Sequence, residues 1–298
     1  MKKLYRGRLA PSPTGLLHLG HARTFWIACQ RALAVGGTLI LRNEDLDPQR
    51  SRPEYAASML EDLRWLGIRW QEGPDVGGPY APYRQSQRYA LYRAAWERLR
   101  AGGWIYPCRC SRRELALAAQ APHEDPFPHV RTERHAEPHG SEPSGEPLYP
   151  GTCRPSPGWV ADAAEPGGIN WRFRVPDGEI LAFTDSHFGP QQAIAGRDFG
   201  DFLVWRRDDV PAYQLAVVVD DAAMAITEVV RGADLLRSTA RQLLLYRALG
   251  FEPPAWRHCD LMLDTGGHRL AKRTNALSLR ALRESGATPE QIRSTFSA

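Results

Sequence analysis

No stretch of this 298-residue chain approaches the ~20 consecutive apolar residues that a membrane-spanning helix needs. The basic start Met1-Lys2-Lys3 is not followed by the apolar stretch of a secretory signal. Both absences make the cytoplasm the expected compartment, with no membrane partner. Cysteine is scarce: five in all, an odd number, with Cys29 and Cys259 isolated and Cys108, Cys110 and Cys153 in one region. In a cytosolic chain a Cys-x-Cys pair argues for metal rather than for a disulfide framework. Cys29 and Cys259 are expected to be plain core residues, because a free thiol packs as a small hydrophobe. Internal repeats are missing, and so are a Ser-His-Asp set and a cysteine nucleophile. Between Ala121 and Pro150 there are almost no apolar residues, only Pro, Glu, His and Gly in excess. That stretch is expected to be a mobile loop, since it buries too little to offset its ordering entropy.

The rest of the chain has ordinary globular content, 43% hydrophobic and 24% charged. Its length suits one large or two modest domains. A net charge of +4 permits a nucleic-acid partner without requiring one. Leu4 to Ala10 is expected as a strand, Leu19 to Val35 as a helix ended by Gly36-Gly37, and Thr38 to Arg42 as a second strand. Ser51 followed by Glu54 predicts a capping box on a helix that runs to about Trp65. Gln87 to Ala101 is another amphipathic helix. This alternation argues for an α/β fold with a parallel sheet. After the Pro-rich break the expected elements are strands at Ile169 to Val175, Ile180 to Asp185, Phe199 to Arg206 and Ala225 to Val230. Helices are expected from Pro211, over Ser238 to Leu249, and after Thr288-Pro289.

One junction stands out. Pro11-Ser12-Pro13-Thr14-Gly15-Leu16-Leu17-His18-Leu19-Gly20-His21 lies where the first strand hands over to the first helix. A helix N-terminus is a ready site for phosphate. Far along the chain, Arg269-Leu270-Ala271-Lys272-Arg273 is a cluster of cations suited to the same ligand. Three thiols, Cys108, Cys110 and Cys153, make three-quarters of a tetrahedral zinc site. The residues leave the fourth ligand open, with His123, His129, His135 and His139 in the neighbourhood.

His18-Leu19-Gly20-His21, preceded by Pro-Ser-Pro-Thr-Gly, resembles the signature of class I aminoacyl-tRNA synthetases of the glutamyl branch. Arg269 to Arg273 resembles their second, lysine-rich signature, with Arg for the first Lys, Ala for Ser and Arg at the end. The resemblance runs from Arg6 to about Leu279. It implies that His18, Gly20, His21 and Lys272 bind ATP, and that His18, His21 and Lys272 stabilise the charge that develops during adenylate formation. It assigns Arg8, Leu9, Ala10, Pro11, Ser12, Glu44, Tyr213 and Arg231 to a glutamate pocket, where arginines would pair with carboxylates and Glu44 would hold the ammonium. It leaves open which arginine takes the side-chain carboxylate. Tyr149-x-x-x-Cys153 resembles the partner of Cys-x-Cys in a short relative, which implies Tyr149 as the fourth ligand of a structural zinc. Mg2+ would accompany ATP.

The implied architecture is a Rossmann-type catalytic domain in two halves, 1–105 and 206–258. Between them lies an insertion, 106–205, with the zinc site and the loop 121–150. A short, mainly helical C-terminal region, 259–298, follows and carries the second signature. Only 25 residues follow Lys272-Arg273, which leads to the expectation that a separate anticodon-binding domain is missing. A short zinc-containing synthetase of this kind resembles the glutamyl-queuosine tRNA(Asp) synthetases. The implied partners are therefore L-glutamate, ATP and tRNA(Asp) carrying queuosine. Two alternatives remain at this point: a truncated glutamyl-tRNA synthetase that charges tRNA(Glu), and a non-catalytic RNA-binding paralogue. Arg109, Arg112, Arg113, Arg206 and Arg207 are candidates for phosphate contacts.

Overall fold

The computed structural model describes residues 4–110, 148–262 and 278–297. Lys272, the loop up to residue 147, Arg112, Arg113 and the four histidines near the thiols lie outside the described residues.

Strand β1 (Arg6–Leu9) leads through α1 (Leu19–Ala34) to β2 (Thr38–Leu41), which pairs with β1 in parallel from Arg6↔Thr38 to Leu9↔Leu41. Burial of Ala22, Phe25, Ala28, Cys29 and Ala32 gives α1 one apolar stripe, which packs on the sheet. The helix ends at Gly36, at φ +60. Gly37 then passes so close to Tyr5 that a Cβ would meet its backbone oxygen at 2.9 Å, so only glycine fits there. Next come α2 (Pro53–Trp65), a 3-10 turn at Gln85–Gln87, α3 (Tyr89–Ala101) and β3 (Ile105–Cys108). The capping box expected at Ser51 does not form. Arg52 is the N-cap without a side-chain bond, and Pro53 opens the helix. Proline suits that position, because it has no N–H to satisfy and its φ is already helical.

After the undescribed segment come β4 (Asn170–Phe173), β5 (Ile180–Asp185), β6 (Gly189–Ile194) and β7 (Phe202–Trp205). Then follow α4 (Tyr213–Ala223), β8 (Glu228–Gly232), α5 (Leu236–Ala248) and β9 (Ala255–Cys259), and finally α6 (Leu279–Glu284) and α7 (Pro289–Ser294). Strands β3, β6 and β9 are absent from the sequence expectation. The main sheet has the order β2-β1-β8-β9-β5-β6, parallel except for β6. A separate antiparallel sheet runs β3-β4-β7. The stretch 106–205 therefore contributes in two places. Three of its strands, counting β3, build the small sheet, and the β5–β6 hairpin extends the main sheet at Asp185↔Trp256.

Successive residues of the central strands point to opposite faces. Leu39 and Leu41 join Leu9, Val230 and α1 in one core, while Ile40, Val229 and Trp256 join α3, α4 and α5 in the other. Chain order runs outward from β1 to β2 on one side and from β8 to β9 on the other. The carboxyl ends of β1 and β8 thus form a topological switch point, where open α/β sheets bind ligands.

Candidate active site and thiol cluster

At the switch point, α1 begins with His18 as its N-cap. His18 Nδ1 accepts from the Gly20 amide at 3.1 Å, and His21 Nδ1 accepts from the His18 amide at 3.4 Å, a capping box made of two imidazoles. Both Nδ1 atoms are acceptors, so each neutral ring carries its hydrogen on Nε2. The rings lie 3.7 Å apart. A Cβ on Gly20 would press on the His18 ring at 3.1 Å, so glycine lets that ring fold onto the helix end. Ser278 bridges to His18 and the Leu279 amide donates to Leu17 O. Met262 lines the same cavity.

The cavity holds about 340 Å³ and is lined by Arg8, Ala10, Pro11, Ser12, His18, Gly20, His21, Glu44, Tyr213 and Arg231 among others. These sequence-predicted residues meet although they span more than 200 positions. Leu9 does not line it: its side chain is fully buried in the core, and its carbonyl accepts from the Arg42 amide. Alternation along β1 explains this, since Arg8 and Leu9 point to opposite faces.

Charge in the pocket is organised from below. Arg42 is fully buried, with Nη1 2.6 Å from Asp221, Nη2 3.0 Å from Glu44 and Nε 3.7 Å from Asp220. Asp220 also takes Arg88 Nε at 2.6 Å, Gln85 Nε2 at 2.7 Å and Tyr92 OH at 2.9 Å. Arg8 donates to Val230 O at 2.8 Å and lies 3.6 Å from Asp221. Burial pushes the Glu44 carboxyl above its usual range, and Arg42 beside it pulls it back. Two acidic residues ending the apolar run Leu215 to Val219 were the available sign that Asp220 and Asp221 are buried and paired.

Arg231, at the carboxyl end of β8, is 5% exposed. It donates from Nε to His258 Nε2 at 3.0 Å, from Nη1 to Gln242 at 2.8 Å and from Nη2 to Thr239 at 2.8 Å. His258 is fully buried and its Nδ1 lies 2.6 Å from Asp185. Burial, and the Arg231 charge after it, push the His258 imidazole down to about 4. Burial and the nearby Arg8 bring Arg231 below its ordinary value. Arg206, a candidate for phosphate contact, is engaged with Asp47 at 3.2 Å and with Asp208.

Away from this cavity, the sulfurs of Cys108, Cys110 and Cys153 all lie within 4.8 Å of one another, with Cys110 and Cys153 at 3.6 Å. The Tyr149 oxygen is 3.4 Å from Cys108 and 3.7 Å from Cys110. Four donors at zinc–sulfur distances of about 2.3 Å would stand ~3.8 Å apart, so the residues fit a tetrahedral zinc. Burial acts to raise the Cys153 thiol, but hydrogen bonds from Tyr149, the Arg109 backbone and the other thiols bring it to about 7. Burial and its neighbours push Cys110 up to about 11. Arg172 donates to Cys108 Sγ at 3.3 Å and lies 4.0 Å over the Tyr149 ring, a cation placed to favour deprotonated ligands.

The sequence profile described as "tRNA synthetases class I (E and Q), catalytic domain" matches residues 5–297. The chain belongs to this family. It is 49% identical over 291 residues to the glutamyl-Q tRNA(Asp) synthetase of Nitratidesulfovibrio vulgaris, covering 97% of this chain and 84% of that one. To the protein of the same name from Symbiobacterium thermophilum it is 51% identical over 288 residues, covering 96% and 83%. The solved glutamate-tRNA synthetase from Elizabethkingia anophelis matches with TM-score 0.70 at 28% identity, covering 95% of this chain. The chain spans about half of that solved structure, 54%. In class I terms, the histidine signature and the pocket residues occupy the switch point of the sheet, and the thiol cluster sits on the separate β3-β4-β7 side. No described helix is long and apolar enough to cross a membrane.

Proposed function

We propose that the chain activates L-glutamate with ATP to glutamyl-adenylate and transfers the glutamyl group to queuosine in the anticodon loop of tRNA(Asp). One observation carries the activation half: the α1 N-terminus with His18 and His21 shares a cavity with two buried arginines and Glu44. That combination matches a ligand with phosphates at one end and, at the other, two carboxylates and one ammonium. The names of relatives at about half identity over nearly the whole chain support the transfer half.

In the first step the glutamate α-carboxylate attacks the α-phosphate in line and pyrophosphate leaves. Arg8 and Arg231 pair with the two carboxylates, Glu44 holds the ammonium, and Tyr213 with the Ala10-Pro11-Ser12 backbone closes the pocket around the chain of the amino acid. His18 and His21 donate from Nε2 to phosphate oxygens, and Lys272 supplies a further cation. Mg2+ enters with ATP. In the second step a queuosine hydroxyl attacks the mixed anhydride and AMP leaves. Catalysis is then positioning and electrostatics, with no covalent enzyme intermediate. A structural zinc on Cys108, Cys110, Tyr149 and Cys153 would pin residues 148–153 to the end of β3. The reaction is placed in the cytoplasm.

ATP–pyrophosphate exchange tests the first half. Exchange that depends on glutamate and proceeds without any tRNA is expected. An absolute requirement for tRNA would contradict it.

A further inference from the structure

Asp185 and His258 are both buried, at 1% and 0% exposure, and the two-step reaction uses neither. Asp185 stands at the end of β5, where its Oδ1 accepts the amides of His187 and Phe188, each at 2.9 Å. Its Oδ2 accepts the His258 amide at 2.9 Å and faces His258 Nδ1 at 2.6 Å. An ionised carboxylate can only accept, so His258 Nδ1 carries the hydrogen and Nε2 is bare. The bare Nε2 is what Arg231 Nε meets at 3.0 Å. Aspartate thus sets the tautomer, and the tautomer makes the histidine an acceptor for a cation.

The other bonds of Arg231 are fixed in the same way. Gln242 offers its oxygen to Arg231 because its nitrogen is committed to Gln214 at 2.9 Å. Gln214 is held in turn by its own donation to Ser238 at 3.1 Å. Trp256 packs on the guanidinium face with its ring centre 4.8 Å from Cζ. Three in-plane acceptors take one hydrogen from each nitrogen of Arg231. A guanidinium has five, so one hydrogen on each terminal nitrogen is left for the cavity side, where the Tyr213 hydroxyl is the protein group that interacts with it. Two parallel donors are the arrangement that binds a carboxylate bidentately.

We propose that Asp185 and His258 are positioning residues for amino-acid selection, which act by locking the plane of Arg231 so that its two remaining hydrogens meet a substrate carboxylate. The inference rests on the proposed glutamate pocket and takes Arg231, rather than Arg8, as the arginine that meets the side-chain carboxylate, the group by which glutamate differs from glutamine. A locked guanidinium offers donors only, so it accepts glutamate and disfavours the amide of glutamine, whose NH2 would face N–H.

The test is ATP–pyrophosphate exchange with the full chain. His258→Leu removes the acceptor at similar size. It should raise the glutamate KM about 10- to 100-fold, the range for orphaning one buried donor, with the ATP KM within about twofold. Preference for glutamate over glutamine in kcat/KM should fall about tenfold. His258→Gln, which can still offer an oxygen, should recover part of the loss. Asp185→Asn leaves the imidazole in place and should give the same KM pattern, and it serves if His258→Leu does not fold. In an Arg231→Ala background, His258→Leu should add less than about threefold, because its effect passes through Arg231. A normal glutamate KM in both His258→Leu and Asp185→Asn, with a raised one in Arg231→Ala, would overturn the positioning role and leave the pocket assignment standing. An unchanged KM in Arg231→Ala would overturn the pocket assignment itself. Equal rises in both substrates' KM values, fully additive with Arg231→Ala, would mark a merely structural pair and overturn the proposal.

Discussion

Arg8 and Arg231 each bring a positive charge to the cavity at 5% exposure, and among the described residues neither has a carboxylate within hydrogen-bond distance. Asp221, the acid nearest Arg8, lies at 3.6 Å and is taken by Arg42 at 2.6 Å. The two cations are therefore under-compensated until an anionic ligand arrives. Arg231→Ala should raise the glutamate KM about 100-fold or more, as expected when one partner of a buried charge pair is truncated. Arg231→Lys should not restore it, since an ammonium cannot fork onto a carboxylate while keeping three in-plane bonds. Steady-state exchange kinetics over a range of glutamate concentrations check both. At this scale the sequence was legible where chemistry is clustered locally, as in His18-Leu19-Gly20-His21. Asp185 and His258 are 73 residues apart with no local pattern, and only the parallel pairing of β5 with β9 brings them together.

Helix ends and the thiol cluster show what local motifs can and cannot tell. Ser51 with Glu54 has the spacing of a capping box, yet Pro53 takes the first helical position and the cap falls on Arg52. Thr288 with Gln291 has the same kind of spacing and does form the reciprocal pair on α7. Thr288→Ala should therefore cost about 1 kcal/mol, while Ser51→Ala should stay within roughly 0.5 kcal/mol, as measured by urea unfolding. The Tyr149 to Cys153 spacing places the phenol oxygen 2.8 Å from the Cys153 amide, so one tight turn presents both candidate ligands. Purified protein should carry about one zinc per chain, and Cys110→Ser or Cys153→Ser should lose it, by metal analysis. Chelation should lower the melting temperature, because a metal bound only by the folded chain stabilises it. Strands β3, β6 and β9 were hidden because Pro107, Gly189-Pro190 and the mixed polar run Ala255–Cys259 break the alternation that marks a strand.

For the molecule as a whole, burying a neutral histidine ties stability to pH. His258 falls from its ordinary 6.5 to about 4 in the fold, chiefly through burial. The unfolded chain therefore binds a proton that the folded chain refuses. The contribution is fully present above pH 6.5, shrinks as pH falls and is lost through pH 4, with an upper size of ~3 kcal/mol. Asp185, held below its ordinary range by hydrogen bonds from the Phe188 and His187 amides and from His258 against the opposing effect of burial, acts with the same sign at lower pH. Unfolding free energies measured from pH 7 to pH 4 should fall less steeply for His258→Gln than for the unaltered protein. The α/β class was legible from strand–helix alternation. The sheet order was not, because it depends on the long-range pairing of β1 with β8.

The central claim, that an adenylate-forming synthetase site serves a modified base, is tested most directly by label transfer. Radiolabelled glutamate and ATP are incubated with the protein and tRNA(Asp) that carries queuosine, with tRNA(Asp) that lacks it, and with tRNA(Glu). The account predicts label on the queuosine-containing tRNA(Asp) alone. Label on tRNA(Glu), or equal label on tRNA(Asp) with and without queuosine, would contradict it.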